Sequence, residues 1–208
     1  MNATAIDAAG NHQDIEKAPA AGRLARLGTA LAAAGIVALG MAAAPARAQS
    51  AECAAAQAAA QNPAYPSASV KRYIKTPTGY LLVLRMGDNV FQQIEAFAIC
   101  ERVPSASLSA IGFTNVTFGF WDADKQAFNP KTFRNVEMAS IVGSLAWKDG
   151  KPSIHAHGVA GDSKFDTYGG HILAMEVGTG SLEVTVTVYP QPLERAVDPR
   201  IGANVLGL

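Results

Sequence analysis

The feature that most constrains the fold is a series of strand-like segments that fills the second half of the chain. The segments are rich in β-branched residues or alternate apolar with polar residues, and turn residues separate them, as in an antiparallel sheet. "KDGKP" (148–152) predicts a tight hairpin turn, and "GTG" (178–180) predicts another. The segments are 107–122, 131–147, 153–160, 170–178 and 181–190.

A further strand and one helix are predicted before this series. The run "GYLLVLRM" (79–86) is apolar and rich in strand formers. In 90–101 the apolar residues fall on one helical face, and Asp88 or Asn89 can cap the helix. The residues on that face are Val90, Phe91, Ile94, Phe97 and Ala98.

Together these elements predict an α+β fold, in which one main helix packs on a mainly antiparallel sheet of about seven strands. The chain has 208 residues, of which 49% are hydrophobic, so it can bury one sizeable core. We therefore expect one folded domain over 73–208. A single helix cannot cover such apolar sheet faces, which favours partial closure of the sheet or pairing of subunits.

The N-terminus resembles an export signal. Arg23 and Arg26 precede an uncharged apolar run (27–44), which is followed by Ala46-Arg47-Ala48. This layout predicts a signal peptide over 1–48 and a periplasmic or secreted protein with no stable membrane anchor. An uncleaved anchor is the alternative, because roughly 18 apolar residues are at the lower limit for spanning a bilayer.

The segment 49–72 contains mostly Ala, Gln, Ser and Pro, and so few large apolar residues predict a flexible leader. It includes Cys53, and the other cysteine of the chain is Cys100. In an oxidising compartment these two could form a disulfide, but a flexible Cys53 leaves that pairing open.

Three of the four histidines lie in "SIHAHGVAGDSKFDTYGGH" (153–171). Residues two apart in a strand share one face, so His155 and His157 can converge, and an antiparallel return can bring in His171. Gly169 and Gly170 allow close backbone approach. Three imidazoles with an open fourth position predict a divalent-metal site, with zinc the expected ion. A metal-free ligand or anion pocket and a structural hydrogen-bond cluster remain alternatives.

Several charged residues are candidates for supporting roles. Arg85 and Arg195 can bind an anion through their guanidinium groups, although Arg195 can instead pair with Asp198 and hold the C-terminal segment. Glu137 is a candidate contact to the metal ligands or a proton carrier. Other carboxylates with that candidate role are Glu176, Asp162 and Asp166. Trp121 and Trp147 are expected to serve packing.

The charge balance makes nucleic acid an unlikely partner. From residue 49 onward there are 13 Lys and Arg residues against 14 Asp and Glu residues. DNA-binding surfaces normally carry dense basic patches.

Ordered motifs along the chain resemble the plant and prokaryote conserved domain, abbreviated PPC or PCC. They extend over 79–206 and are "RMGD" before the helix, "AIGFTNVTFGFWD", "GSLAWKDGKPSIHAH", "YGGHI" and "LERAVDPRIGANVL". The resemblance implies a compact α+β homotrimer with histidines near subunit contacts. In plants the domain accompanies AT-hook motifs, but this chain has no Arg-Gly-Arg-Pro hook, and only Glu137 matches the plant partner-docking stretch.

The fold and the order of the three histidines are also similar to acetolactate decarboxylase, a zinc enzyme. We therefore expect an exported homotrimer that binds a divalent metal or small ligand through His155, His157 and His171. The alternative is a metal-dependent lyase or hydrolase acting on small carbonyl or carboxylate substrates. A DNA-binding protein is the third hypothesis.

Overall fold

A computed structural model describes residues 43–66 and 71–208. Most of the predicted signal peptide (1–48) lies outside the described residues. In the described part, two helices and eight strands follow in the order α1 (Ala43–Ala59), β1 (Tyr73–Thr76), β2 (Gly79–Arg85), α2 (Val90–Glu101), β3 (Ser105–Asp122), β4 (Ala127–Lys148), β5 (Lys151–Gly161), β6 (Thr167–Tyr189), β7 (Arg195–Asp198) and β8 (Ala203–Leu206).

Six of the strands form one antiparallel sheet that closes on itself in part. The strand order is β1-β2-β6-β3-β4-β5, and β5 also pairs with the start of β6. Strands β3 to β6 therefore form a ring, and β1 and β2 extend the sheet beyond it. The strands β7 and β8 form a separate two-stranded hairpin. This arrangement confirms the predicted α+β class and the partial closure.

The helix α2 has the bounds that the sequence predicts. Asn89 caps it, since its side chain accepts a hydrogen bond from the backbone N–H of Gln92. Val90, Ile94 and Phe97 are buried in the core, together with side chains from the inner faces of the strands. The apolar face of α2 thus covers the sheet as expected.

The described residues 49–66, 71 and 72 differ from the flexible leader that we expected over 49–72. The helix α1 continues to Ala59, and a disulfide joins Cys53 to Cys100 of α2, with 4.8 Å between their Cα atoms. Farther along, Asn62 and Arg72 are buried. A covalent link and buried polar contacts therefore order the described part of this segment, which has too few apolar residues to be ordered by hydrophobic burial alone.

The two predicted turns have different outcomes. Lys148 pairs with Lys151, so Asp149 and Gly150 form a two-residue hairpin turn with positive φ angles of 51° and 73°. In contrast, "GTG" (178–180) does not reverse the chain. It lies within β6, where residues 178–181 bulge between the pairs Thr114–Val177 and Gly112–Leu182. The two predicted strands are therefore one strand of 23 residues.

Within the described ranges 43–66 and 71–208, no helix has the length and hydropathy required to cross a bilayer.

Candidate metal centre and cavity

The three histidines converge where β5 meets β6. His157 lies directly opposite His171 in the antiparallel register, and His155 is two residues away on β5. The exposed side chains of His155 and His157 alternate with buried Ala156 and Gly158. Directly opposite residues of an antiparallel pair share a face, so all three imidazoles project from the outer side of the ring. This confirms the convergence that the spacing predicts.

Glycines make this junction of strands possible. A Cβ on Gly169 would lie 2.8 Å from the carbonyl oxygen of Gly158. Only residues without side chains therefore let β5 and β6 approach each other closely here.

The spacing of the ring nitrogens fits a metal ion. One ligand nitrogen from each ring can be chosen so that all three lie within 4.8 Å of one another. The Nε2 atoms of His155 and His157 are 3.2 Å apart. Two nitrogens bound tetrahedrally to zinc at about 2.05 Å are separated by about 3.3 Å. His155, His157 and His171 could thus hold a divalent ion and leave a fourth position open.

The surroundings keep two of the rings neutral. The pKa of His171 is lowered to about 4, mainly by burial and to a smaller extent by the nearby imidazoles of His155 and His157. Burial also lowers the pKa of His155, with smaller contributions from the charges of Arg195 and His157. Metal ligation requires neutral imidazole, so these rings are in the ligating form near pH 7.

The cluster forms one wall of an open cavity of about 850 Å³. Phe128 stacks on His171, with 4.5 Å between the ring centroids and 10° between the planes. Trp121 packs edge-on against Phe128, and Phe120 also lines the cavity. On another side the β7–β8 hairpin contributes Arg195 together with Val197, Gly202, Ala203 and Asn204.

Arg195 is part of this cavity and is not paired with Asp198 as the sequence suggested. Its Nη2 atom donates to Oγ of Ser144, which lies directly opposite His155 in the sheet. Asp198 instead accepts from Arg200 at 2.8 Å. Residues three apart in a strand project from opposite faces, so β7 separates Arg195 from Asp198.

The other predicted supporting residues do not line the cavity. Arg85 pairs with Ser181, far along β6 from His171, and Glu137 pairs with Gly161 at the far end of β5. Glu176 accepts from Asn115 on β3. Asp162 accepts from Tyr168 and from the backbone of Lys164 and Asp166, so it organises the loop between β5 and β6.

Sequence reasoning missed several residues of the cavity wall. Phe128 precedes the predicted start of its strand, because β4 begins at Ala127 rather than Lys131. Lys148 belongs to the predicted turn, but it is the last residue of β4, and its Nζ donates to Oδ1 of Asn204, which also lines the cavity, at 2.6 Å. Of the two tryptophans, Trp147 donates to the carbonyl of Val103 and serves packing as expected, whereas Trp121 lines the cavity.

The comparisons with known proteins extend over the part of the chain that forms the sheet and α2. The model of the Plants and Prokaryotes Conserved (PCC) domain matches residues 72–190. A solved structure of a "Putative DNA-binding protein" from Ralstonia eutropha JMP134 has 62% identity and a TM-score of 0.64, and the alignment covers 66% of this chain and 96% of that chain. A search of curated proteins finds no significant match.

Two archaeal structures are also similar. A metal-containing protein from Archaeoglobus fulgidus has 30% identity and a TM-score of 0.57, with 67% of this chain and 100% of that chain covered. A plant- and prokaryote-conserved (PPC) protein from Pyrococcus horikoshii has 24% identity and a TM-score of 0.55, with 64% and 94% covered, and it supports the fold alone. The matched residues 72–190 include all three histidines and more than half of the sequence, and the chain belongs to the Plants and Prokaryotes Conserved (PCC) domain family.

Proposed function

We propose that this PCC-domain protein is exported, assembles as a homotrimer and binds a divalent metal ion through His155, His157 and His171. The observation that carries the metal proposal is the convergence of the three imidazoles on one face of the β5–β6 pair. The binding site serves a binding or sensing role, in which the open fourth position takes water or a small ligand.

Zinc is the ion that we propose, because three neutral imidazoles form a donor set that zinc accepts readily. The similar protein from Archaeoglobus fulgidus is described as metal-containing, which supports a metal in this fold. When bound, the ion would supply Lewis-acid chemistry at its open position.

A metal-dependent lyase or hydrolase remains the alternative, and the walls of the cavity argue against it. Acid–base catalysis at such a site commonly relies on a carboxylate within hydrogen-bonding reach of the substrate. No Asp or Glu of the described chain lines the cavity. Turnover of 2-keto or 2-hydroxy acids that is abolished by a chelator would favour the enzyme over the binding protein.

Export to the periplasm or secretion is supported by the disulfide between Cys53 and Cys100. Disulfides persist in oxidising compartments and are rare in the cytosol. The N-terminal sequence pattern points in the same direction. Fractionation of the producing cells, with the N-terminus of the mature protein identified by mass spectrometry, tests both the route and cleavage after Ala48.

The homotrimer and the acetolactate-decarboxylase-like architecture rest on the resemblance described above. Exposed apolar side chains support subunit contacts, because soluble monomers rarely expose many of them together. Among these are Ile111, Phe113, Val142, Val159 and Phe165. Light scattering coupled to gel filtration tests the trimer, which would have three times the mass of one chain.

DNA binding is a second candidate, favoured by the name of the Ralstonia protein. The near balance of 13 basic and 14 acidic residues from residue 49 onward argues against DNA binding. Retention on duplex DNA that weakens steeply with salt would support this candidate. No retention at low salt would reject it.

The central experiment is metal analysis of untagged protein produced in metal-replete medium. We expect about one zinc ion per chain in the wild type and loss of the ion in the variant His155→Ala/His157→Ala. Glu137→Gln is the matched control, because Glu137 is exposed on β4 and does not line the cavity. Wild-type protein that contains no stoichiometric metal would reject the metal site.

A further inference from the structure

Arg195 is a buried guanidinium without a counter-charge. Its side chain is 6% exposed, and Oγ of Ser144 is its one hydrogen-bond partner in the described chain. Its Nε atom is buried and has no acceptor. Among the described residues no carboxylate lies within ion-pair distance of it.

Such an arrangement is unfavourable for the free protein. Although burial lowers the pKa of Arg195, an arginine side chain remains protonated at physiological pH, so the positive charge stays in place. A guanidinium that is mostly removed from water is stabilised by an opposite charge or by further hydrogen bonds, and within the described ranges the side chain of Arg195 has one hydrogen bond and no opposite charge. An anion that enters from outside the chain would supply the missing partner.

The position of Arg195 places this charge beside the three histidines. Ser144, its partner, is directly opposite His155, and Arg195 lines the same cavity as the cluster. The cavity wall also includes Lys148, and it contains no Asp or Glu from the described chain. The cavity therefore has a positive potential that favours an anionic ligand.

The opposite wall is aromatic. Trp121 and Phe128 are half-buried and pack edge to face with 5.0 Å between their ring centroids, and Phe128 also stacks on His171. Partly exposed aromatic rings next to a charged group suit a ligand with one apolar part and one charged end.

We propose that the cavity binds a small organic carboxylate, which Arg195 holds at its charged end and which lies with its apolar body against Trp121 and Phe128. A guanidinium has a planar edge that matches the two oxygens of one carboxylate. The inference deepens the proposed function, because it names the ligand class of the same site. Arg195 lies outside residues 72–190, the range that the family model matches.

The experiment is calorimetric titration with benzoate and with benzamide, its neutral analogue. Benzoate should bind to the wild type and benzamide should not. Arg195→Met should weaken benzoate binding about 10- to 100-fold, the range expected for hydrogen bonds to a charged group. Arg200→Met is the matched control, because Arg200 is on the same hairpin but pairs with Asp198 outside the cavity.

A second variant tests the aromatic wall. Trp121→Leu should weaken the binding of benzoate a few-fold and leave that of acetate unchanged, and leucine keeps an apolar side chain at this half-buried position near the end of β3. Binding of benzoate that is equal in the wild type and Arg195→Met would overturn the proposal. The proposal would also be overturned if benzamide bound as strongly as benzoate, or if inorganic phosphate bound more tightly than every carboxylate. A third contrary result is no binding of benzoate, phenylacetate or acetate at concentrations on the order of 10 mM.

The titrations are made on zinc-loaded protein and on protein treated with a chelator, which separates this inference from the proposed metal site. If no metal binds but benzoate binding depends on Arg195, the carboxylate subsite stands and the metal proposal fails. If zinc binds but none of the three carboxylates does, the metal proposal stands and the carboxylate subsite fails.

Discussion

Arg72 and Arg195 are both buried arginines, with 9% and 6% of their surface exposed, yet their surroundings are opposite. Arg72 forms an ion pair with Asp88 and donates to the carbonyl of Tyr65. Arg195 donates to one neutral hydroxyl. Both leave Nε without an acceptor, so the difference lies in the counter-charge.

The region around Asp88 is closed and internally satisfied. The carboxylate of Asp88 is fully buried and accepts from the side chains of Asn62, Arg72 and Gln93 and from the backbone N–H of Arg85. These contacts tie the end of the α1 segment to the start of α2. Buried charges with complete partners of this kind hold a fold together.

The region around Arg195 and the histidines is open and incomplete. The charged side chains that line the cavity are basic, and its aromatic side chains are partly exposed. Arg195 uses only part of its hydrogen-bond capacity, because its Nε atom has no acceptor. Polar and charged groups whose placement does not stabilise the fold are typical of sites that bind a ligand. The comparison therefore assigns structure to one buried arginine and binding to the other.

The largest expected effect is at the closed region. Asp88→Ala leaves Arg72 buried without its counter-charge, and we expect it to lower the free energy of unfolding by about 3–5 kcal/mol. Urea unfolding followed by circular dichroism measures this loss. Asp198→Ala is the control, because its partner Arg200 is 86% exposed, and its free energy of unfolding should stay close to that of the wild type. Equal losses in both variants would contradict the structural role of Asp88.

The disulfide gives the next largest effect. Replacing Cys53 and Cys100 by Ser should lower the free energy of unfolding by about 2–4 kcal/mol, because the bond closes a loop with a sequence separation of 47 residues. The affinity for zinc should not change, since neither α1 nor α2 lines the cavity with the histidines. Titration of both forms with zinc checks this independence, and a tenfold loss of affinity would show that the two regions are coupled.

Arg195→Met provides the direct contrast with Asp88. Removing an unpaired buried charge eliminates an unfavourable group, so the free energy of unfolding should stay within about 1 kcal/mol of the wild type or rise. Arg72→Met, its matched partner, should cost about 3–5 kcal/mol because Asp88 is then left unpaired. The same urea measurement applies to both variants. A large loss for Arg195→Met would mean that Arg195 serves the fold.

Local patterns predicted the elements that local contacts determine. The apolar period of α2, its Asn89 cap and the Asp149–Gly150 turn each depend on residues a few positions apart, and the structure agrees with all three. The histidine cluster was also predictable, because the two-residue period of β5 and an antiparallel return fix which side chains share a face.

Features that depend on distant partners could not be read from the sequence. Glycines at 178–180 suit a turn and a bulge equally, and only the pairing of β6 with β3 selects the bulge. Cys53 and Asn62 are held by Cys100 and Asp88, which lie far along the chain. Arg195 and Asp198 are close in sequence, but the strand between them turns their side chains to opposite faces.

The smallest expected effect is the pH dependence of the histidine wall. The pKa of His171 is lowered to about 4 in the folded protein, whereas an unfolded chain has the ordinary value of 6.5. Protons therefore favour the unfolded state between these values. The free energy of unfolding is therefore unaffected by His171 above pH 6.5, where the ring is neutral in both states, and it decreases as the pH falls towards 4. The ring is partly accessible to solvent, so we expect a loss of about 1 kcal/mol.

The measurement compares wild type with His171→Gln in the presence of a chelator, by urea unfolding at several pH values between 7 and 4. Glutamine does not titrate, so the variant should lose less stability than the wild type over this range. Parallel curves would mean that water reaches the ring freely and that the cavity wall is no more desolvated than ordinary surface. A steeper fall of the free energy of unfolding in the wild type would support histidines that are kept neutral by burial at some cost in stability. The paired charges around Asp88 carry no such cost.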